Sequence, residues 1–335
     1  MKAVILVGGE GTRLRPLTYE IPKPLLPIAN VPFLERQLAW LARHGVDEVI
    51  LSMGYLPDAF RAHFTDSRFG PMRLRYAVEP RPLGTAGGIR FAAEGIGERF
   101  VVCNGDVLTD LDLAAMVRFH IEVGAEATIH LARVEDPSAF GVVPTRDDGE
   151  VIAFVEKPAP GAAPTHWINA GTYVLEPSVL DEIPPRLCVS IERETFPRML
   201  TRPRRLFAVR SDAYWLDIGT PEKYWQAQRD VLDGRLGRPP APGAVERSPG
   251  VWVQEPVTVA AGVRLDAPVL VGTGSRLEAG AVVREAVVGA GATVGAGATV
   301  CRSVLLPGVA VPPGETVDDE VVGGTGRLTV GEGVG

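Results

Sequence analysis

The chain predicts an α/β protein in two chemically different parts: a mostly parallel mixed sheet with helices on both faces, then a parallel β-helix. Three observations predict it. Short apolar runs alternate with helical patterns through residues 1–233, a Pro/Gly-rich break follows at 234–250, and a six-residue repeat runs beyond it. Residues 3–7 form an apolar run stopped by Gly8 and Gly9, as expected of a buried strand. In Phe33–Arg43 the apolar residues Phe33, Leu34, Leu38 and Leu41 recur at helical spacing, and Gly45 is the stop signal. Strands are expected at 49–53, 73–78 and 100–103, with a helix at 85–93 between the last two. Such alternation implies buried parallel strands covered by crossover helices. Ligands then bind at the carboxyl ends of the strands, where Gly8, Asn104 and Asp106 stand.

The break at 234–250 carries four prolines and four glycines and is expected to be an exposed linker. Beyond it, Trp252 is the only aromatic residue and lysine is absent. VGAGAT at 288–293 repeats at 294–299, and the same beat extends from about 257 to 311. One aliphatic residue facing inward per short strand, with small residues at the corners, fits a β-helix over 251–322. The last segment, 323–335, reads as a flexible tail.

Composition narrows the function. The chain has 335 residues, a net charge of −7 and 22% charged residues. Thirty of its cations are arginine and only four are lysine: Lys2, Lys23, Lys157 and Lys223. No basic stripe points to nucleic acid, and no run of 18 apolar residues points to a membrane. The first segment is apolar too briefly for a secretory signal. Three well-separated cysteines, Cys103, Cys188 and Cys301, lack metal-ligand spacing and suit buried thiols in a reducing cytoplasm. The five histidines form no ligand pair and no nucleophile–base arrangement.

The first strand runs into GGEGTRLRP, residues 8–16. Gly8, Gly9 and Gly11 let several backbone N–H groups, including that of Thr12, turn toward an anion. Arg13 and Arg15 add charge-assisted donors for phosphate. A P-loop would need Gly-Lys-Ser/Thr, and a dinucleotide fingerprint would need glycine where Leu14 stands. Ten residues after Arg13 comes IPKPLLP, whose three prolines in six residues make a stiff extended mount for Lys23.

GGEGTRLRPLT followed by PKPLLPIANVPFLERQL resembles the signature region of the sugar-1-phosphate nucleotidylyltransferases. The resemblance runs through residues 1 to about 230 and implies a Rossmann-like catalytic domain with a left-handed β-helix behind it. In EPRPLGTAGG, 79–88, Thr85 is a candidate helix N-cap, and the resemblance implies that Gly84 and Thr85 help hold the nucleotide. It also implies that Asp106 of NGD and Asp217 of WLDIGTP bind Mg²⁺, an ion that takes few protein ligands. The sugar-side motifs are FGVV with Gly141, VEKP with Glu156 and Lys157, and INAGTY with Asn169 and Gly171. Arg13, Lys23 and Asp106 are the implied catalytic groups. The implied reaction is in-line attack by a sugar-1-phosphate on an NTP, releasing pyrophosphate.

Within the family, PKPL with EPRPLGTAGG is similar to the mannose-1-phosphate guanylyltransferases, which implies GTP, mannose-1-phosphate and GDP-mannose. Glucose-1-phosphate thymidylyl- and uridylyltransferases stay open as alternatives. A non-catalytic sugar-nucleotide sensor is disfavoured by the retained charged groups. An acyltransferase role for the β-helix would need a histidine beyond His166, where none occurs. The β-helix is expected to mediate homo-oligomerisation.

Overall fold

The structure is a computed structural model describing residues 1–202 and 205–330. The chain divides into two compact units, Met1–Gly9 with Gln37–Trp215, and Glu10–Arg36 with Leu216–Gly335. The expected boundary at 233 therefore falls inside the second unit. The segment from Glu10 to Arg36 belongs with the repeat half and not with the sheet that precedes it in sequence.

The first unit is built on a 10-stranded mixed sheet. At its centre Met72–Val78, Glu48–Met53, Lys2–Leu6 and Phe100–Asn104 run parallel, and Leu6 pairs with both Ser52 and Asn104. This register brings the carboxyl ends of the strands to one edge, so Gly8, Glu79 and the Asn104–Gly105–Asp106 turn follow them there. Val4, Ile50 and Val102 are buried with Ala86 and Ile89 of the helix Gly84–Ala92. The helix Phe33–Arg43 has the bounds its apolar spacing predicts. Its Gln37 amide donates to the carbonyls of Asn104 and Val107, both at 2.9 Å, and so ties down the turn that carries Asp106. Trp167–Leu175 runs antiparallel to Phe100–Asn104 on one side and to Ala127–Arg133 on the other, and the second pairing has a register break between Asn169 and Tyr173. That break takes Ala170, Gly171 and Thr172 out of the ladder with Ala127–Arg133, just after Asn169, which still pairs with Leu131.

In the second unit the repeat forms stacked parallel ladders. Thr258 pairs with Arg276, Arg276 with Thr293, and Thr293 with Ala310, so each coil takes about 17–18 residues, close to three six-residue steps. Val283, Val300 and Val317 stack at 0% exposure, which is why the aliphatic residue recurs on this beat. Glu285, Arg302 and Asp319 share a left-handed corner, with φ of 47°, 44° and 54°. Arg302 grips Asp319 with two hydrogen bonds of 2.7 Å and holds its carboxyl below the usual carboxylate range.

Two expectations change here. The 234–250 linker contains a strand, Ala244–Ser248, antiparallel to Val251–Gln254. Residues 323–330 are not a loose tail. Glu320–Gly323 and Gly326–Thr329 form a hairpin, Val330 is buried, and the Thr325 hydroxyl donates to the Pro16 carbonyl at 3.1 Å. The short, glycine-rich ending hid Leu328, which pairs with Val321, and the buried Val330. Residues 331–335 lie outside the described residues.

Also in the second unit, Pro27–Ile28 and Val31–Pro32 make a hairpin that turns at Ala29 and Asn30, both left-handed. The Asn30 amide donates to Gln254 Oε1 and to the Val288 carbonyl, both at 3.1 Å. Tyr224 and Gln228, from the helix Pro221–Leu232, both donate to the Pro27 carbonyl, at 2.6 and 2.9 Å. Burial lowers the Arg36 pKa to about 10, and its guanidinium caps the carbonyls of Ile28 and Pro240 at 2.7 Å each. The proline-rich segment is thus anchored at both ends of its hairpin, although it is not fully extended. Lys23–Leu25 makes a single 3-10 turn between the extended residues Pro22 and Leu26.

Candidate active site

The expected site residues are shared between the two units. Gly8, Gly9, Gly84, Thr85, Asp106, Gly141, Glu156, Lys157, Asn169 and Gly171 belong to the first; Gly11, Thr12, Arg13, Lys23 and Asp217 belong to the second.

In the second unit the glycine-rich loop tightens at once. Gly11 has φ of +62°, and its carbonyl accepts hydrogen bonds from the Thr18 hydroxyl and the Leu14 amide, each at 2.9 Å. A Cβ on Gly11 would stand 3.0 Å from the Cβ of Lys23. The close approach requires glycine and sets the lysine beside the loop. Arg13 lies against Gly219, where a Cβ would meet its guanidinium at 2.7 Å and Asp217 Oδ1 at 3.0 Å. Arg13 and Asp217 therefore occupy one corner. Asp217 Oδ2 accepts from the Lys223 ammonium at 3.4 Å, while buried Oδ1 has no hydrogen-bond partner among the described residues. An orphaned carboxylate oxygen is costly unless something cationic meets it. Oxygen of this kind is the donor Mg²⁺ prefers. Lys223 carried no role in the sequence reading; its contact with Asp217 needs the helical turn that begins at Pro221.

In the first unit, Gly8 and Gly9 stand exposed at the strand end, and a Cβ on Gly9 would meet nothing within 4 Å among the described residues. Glu79 is a bracket for the loop that leads into the helix Gly84–Ala92. It accepts from the Ser52 hydroxyl at 3.0 Å and from the Leu83 amide at 2.9 Å. Thr85 is not the helix N-cap. The helix begins at Gly84 with Leu83 as its uncapped N-cap residue. The Thr85 hydroxyl instead donates to Glu192 Oε2 at 2.7 Å and accepts from the Ile191 amide at 2.9 Å. A tertiary partner more than a hundred residues away has taken the side chain that local pattern reserves for capping.

Also in the first unit, a Cβ on Gly141 would meet the Phe154 ring at 2.6 Å and Glu156 Oε2 at 3.0 Å. Lys157 is exposed in a left-handed turn, with φ of 49°, and its amide donates to the Phe140 carbonyl at 3.0 Å. Glu156 faces the Arg193 guanidinium at 3.6 Å. Asn169 folds over its own bulge: Oδ1 accepts the Gly171 amide at 3.1 Å, and Nδ2 donates to the Tyr173 hydroxyl at 2.8 Å. Trp215 clamps the same bulge through a 2.9 Å hydrogen bond to the Ala170 carbonyl and packs edge-on against Phe140. Beside it, Cys103 is buried and its thiol is pushed up to about 12 by desolvation, against the smaller opposing effect of the Thr172 hydrogen bond. Its thiolate is out of reach at neutral pH.

The glycines at the strand ends and the Asn169 carboxamide belong to the first unit, and the Arg13–Asp217 corner belongs to the second. The chain belongs to the nucleotidyl transferase family: a family profile of that description matches residues 2–234. It is 44% identical to a mannose-1-phosphate guanylyltransferase of Mycobacterium tuberculosis over 69% of this chain, and it spans 65% of that relative's length. A UTP–glucose-1-phosphate uridylyltransferase of Synechocystis is 39% identical over 75% of this chain and 68% of its own. The crystal structure of HddC from Yersinia pseudotuberculosis complexed with GMP-PN superposes with a TM-score of 0.59 at 32% identity, covering 68% of this chain and 98% of that one. Among the described residues, no helix is long and apolar enough to cross a membrane.

Proposed function

We propose that the protein transfers a guanylyl group from GTP to mannose-1-phosphate, giving GDP-mannose and pyrophosphate. The observation that carries this reading is Asp217, whose buried Oδ1 lacks a partner beside the Arg13 guanidinium. Identity to a guanylyltransferase of that specificity supports the choice of substrates.

In the proposed reaction a phosphate oxygen of the sugar-1-phosphate forms a bond to the α-phosphorus. The bond from that phosphorus to the α–β bridging oxygen breaks, and pyrophosphate leaves with the electron pair. The nucleophile is already an anion, so no general base is needed. The protein's task is to hold two anions in line and offset their charge, for which positioning alone supplies about 7–11 kcal/mol. Arg13, Lys23, Thr12 and the amides of Gly8, Gly9 and Gly11 are assigned to the triphosphate, with Gly84 and Thr85 toward the nucleoside. Lys157 is assigned to the sugar phosphate, and Gly141, Glu156, Asn169 and Gly171 to the sugar. Asp106 and Asp217 are the proposed Mg²⁺ ligands, and the ion would supply charge neutralisation on the phosphate oxygens. Cys103 and Cys301 are buried free thiols, whereas Cys188 is exposed and not the buried thiol expected; the cytoplasm is the proposed location, and the β-helix is the proposed surface for self-association.

The uridylyltransferase relative favours one alternative, UTP with glucose-1-phosphate. Pyrophosphate release measured with four nucleotides against mannose- and glucose-1-phosphate tests both readings. The proposal expects GTP with mannose-1-phosphate to give the highest kcat/KM, and no turnover of that pair overturns it.

A further inference from the structure

We propose that Glu192 is a positioning residue that couples the nucleotide side of the site to the sugar side. It sits in a π-helical turn, Ile191–Thr195, which follows a segment packed onto the start of the helix Gly84–Ala92. There Val189 and Leu83 exchange backbone hydrogen bonds with their neighbours, Val189 to Leu83 at 2.9 Å and Ala86 to Val189 at 2.9 Å. Single π turns inside helices recur at functional sites. This one aims a half-buried carboxylate between two substrate-facing loops.

Three hydroxyls converge on that carboxylate. Thr85 donates to Oε2 at 2.7 Å and Ser190 donates to the same oxygen at 2.8 Å. Tyr173, wholly buried, accepts from Asn169 Nδ2 at 2.8 Å, and burial first and the facing Glu192 carboxylate next push its hydroxyl well above the ordinary tyrosine range. Asn169 in turn fixes the Gly171 amide. Contacts therefore run from Thr85 to Glu192 by a hydrogen bond, from Glu192 to Tyr173 through the carboxylate's charge, and from Tyr173 through Asn169 to Gly171 by hydrogen bonds. The next residue of the turn, Arg193, faces Glu156 at 3.6 Å. One turn thus touches three of the loops assigned to the two substrates. Movement of the Gly84–Thr85 loop on nucleotide binding must pull or release the carboxylate that holds Tyr173, and through it the Asn169 bulge. Coupling of this kind is reciprocal: each substrate raises the other's affinity by the same factor. None of these groups reacts, so the role is placement and not chemistry.

The inference rests on the proposed assignment of Asn169 and Gly171 to the sugar. The test uses the whole chain, its best substrate pair from the assay above and Mg²⁺, comparing Glu192→Gln, Tyr173→Phe, the double variant and Asn169→Ala. Glutamine keeps the shape but removes the charge that faces Tyr173 and accepts from Thr85 and Ser190. The expected result is a rise of about 10-fold in KM for the sugar phosphate in E192Q, since losing one charged acceptor is worth about that factor. Melting temperature should stay near wild type, and the nucleotide should no longer tighten sugar-phosphate binding. Y173F should show the same effect, and the double variant should be no worse than either single one, as expected for two links of one relay. An unchanged KM with intact coupling in E192Q, or effects that multiply in the double variant, would overturn the relay. If Asn169→Ala raises the sugar-phosphate KM while E192Q does not, the relay alone fails. If Asn169→Ala also leaves that KM unchanged, the sugar-side assignment fails with it.

Discussion

A Cβ added to Gly171 would stand 2.6 Å from the Nδ2 atom of Asn104. Gly171 holds φ of +75° at the crest of the bulge in Trp167–Leu175, and Asn104 ends the neighbouring strand two residues before Asp106. The two loops nest only because one of them lacks a side chain. Gly171→Ala should therefore cost about 1–2 kcal/mol from the left-handed backbone alone. It should also displace Asn104. Chemical denaturation measures the first effect, and a fall in kcat at saturating substrates, beyond any change in KM, reports the second.

Asp217→Asn keeps the volume of the side chain but removes the charge that faces Lys223 and the orphaned oxygen's negative share. Turnover should fall by about 10²-fold or more, as when a preorganised charge is lost from a transition state. The apparent Mg²⁺ requirement should move to higher concentration. Because a buried unpartnered oxygen is relieved, melting temperature should hold or rise. Wild-type turnover with an unshifted Mg²⁺ titration would falsify the metal assignment at this residue.

Lys23→Arg and Lys157→Arg test whether a compact point charge is required where this arginine-rich chain has kept lysine. A guanidinium is wider and spreads its charge over a planar fork. Beside the Gly11 approach, which leaves 3.0 Å between Cβ positions, the fork of residue 23 has to sit differently from an ammonium. Each variant should lose at least about 10-fold in kcat/KM, with Lys23→Arg acting on the nucleotide and Lys157→Arg on the sugar phosphate. Varying one substrate at a time separates them, and equal effects on both KM values in either variant would contradict the assignment.

His130 predicts how stability follows pH. It is 0% exposed, neither ring nitrogen has a partner among the described residues, and burial pushes its pKa down to about 4. An unfolded histidine titrates near 6.5. Between those values the unfolded chain binds the proton and the folded chain does not. This contribution is complete above about pH 6.5, falls by up to about 1.4 kcal/mol per unit below it, and levels off near pH 4. His120, lowered chiefly by burial and partly restored by Glu176, acts in the same direction. Urea midpoints from pH 7 to 4.5 should slope less in His130→Leu than in wild type; parallel slopes would show that other groups govern acid unfolding.

Ending the chain after Val322 removes Thr325 and the strand Gly326–Thr329 that cover Pro16 and Leu17. Gly323 lies close enough to Leu17 that a Cβ there would reach its side chain at 2.9 Å. If this hairpin seats the phosphate loop, KM for the nucleotide should rise by about 10-fold, since small misplacements are expensive in catalysis. Thr325→Ala, which keeps the hairpin, should show a smaller change in the same direction.

Much of this was legible in the residues. The bounds of Phe33–Arg43 and the stacking of Val283, Val300 and Val317 follow from periods of 3.6 and six, which any local reading detects. The charged site groups stood out because they follow strand ends or sit in glycine- and proline-rich turns. What escaped detection depends on partners distant in sequence. Thr85 looked like a cap because Glu192 is not visible from its neighbourhood, and SIERET carries no pattern that separates it from an ordinary helix start. Nothing around Asn30 in sequence marks it, yet it bonds Gln254 and Val288. The ending looked loose because glycine dominates it, whereas Val321, Val322 and Val330 are buried.

The hydrogen bond from Thr325 to Pro16 spans 309 residues. A ribosome adding about 5–20 residues per second needs roughly 15–60 s to travel that distance. Throughout that interval the nascent chain carries its phosphate loop without the hairpin that will cover it. The loop that opens the second unit is therefore completed only once a hairpin some three hundred residues later has been made.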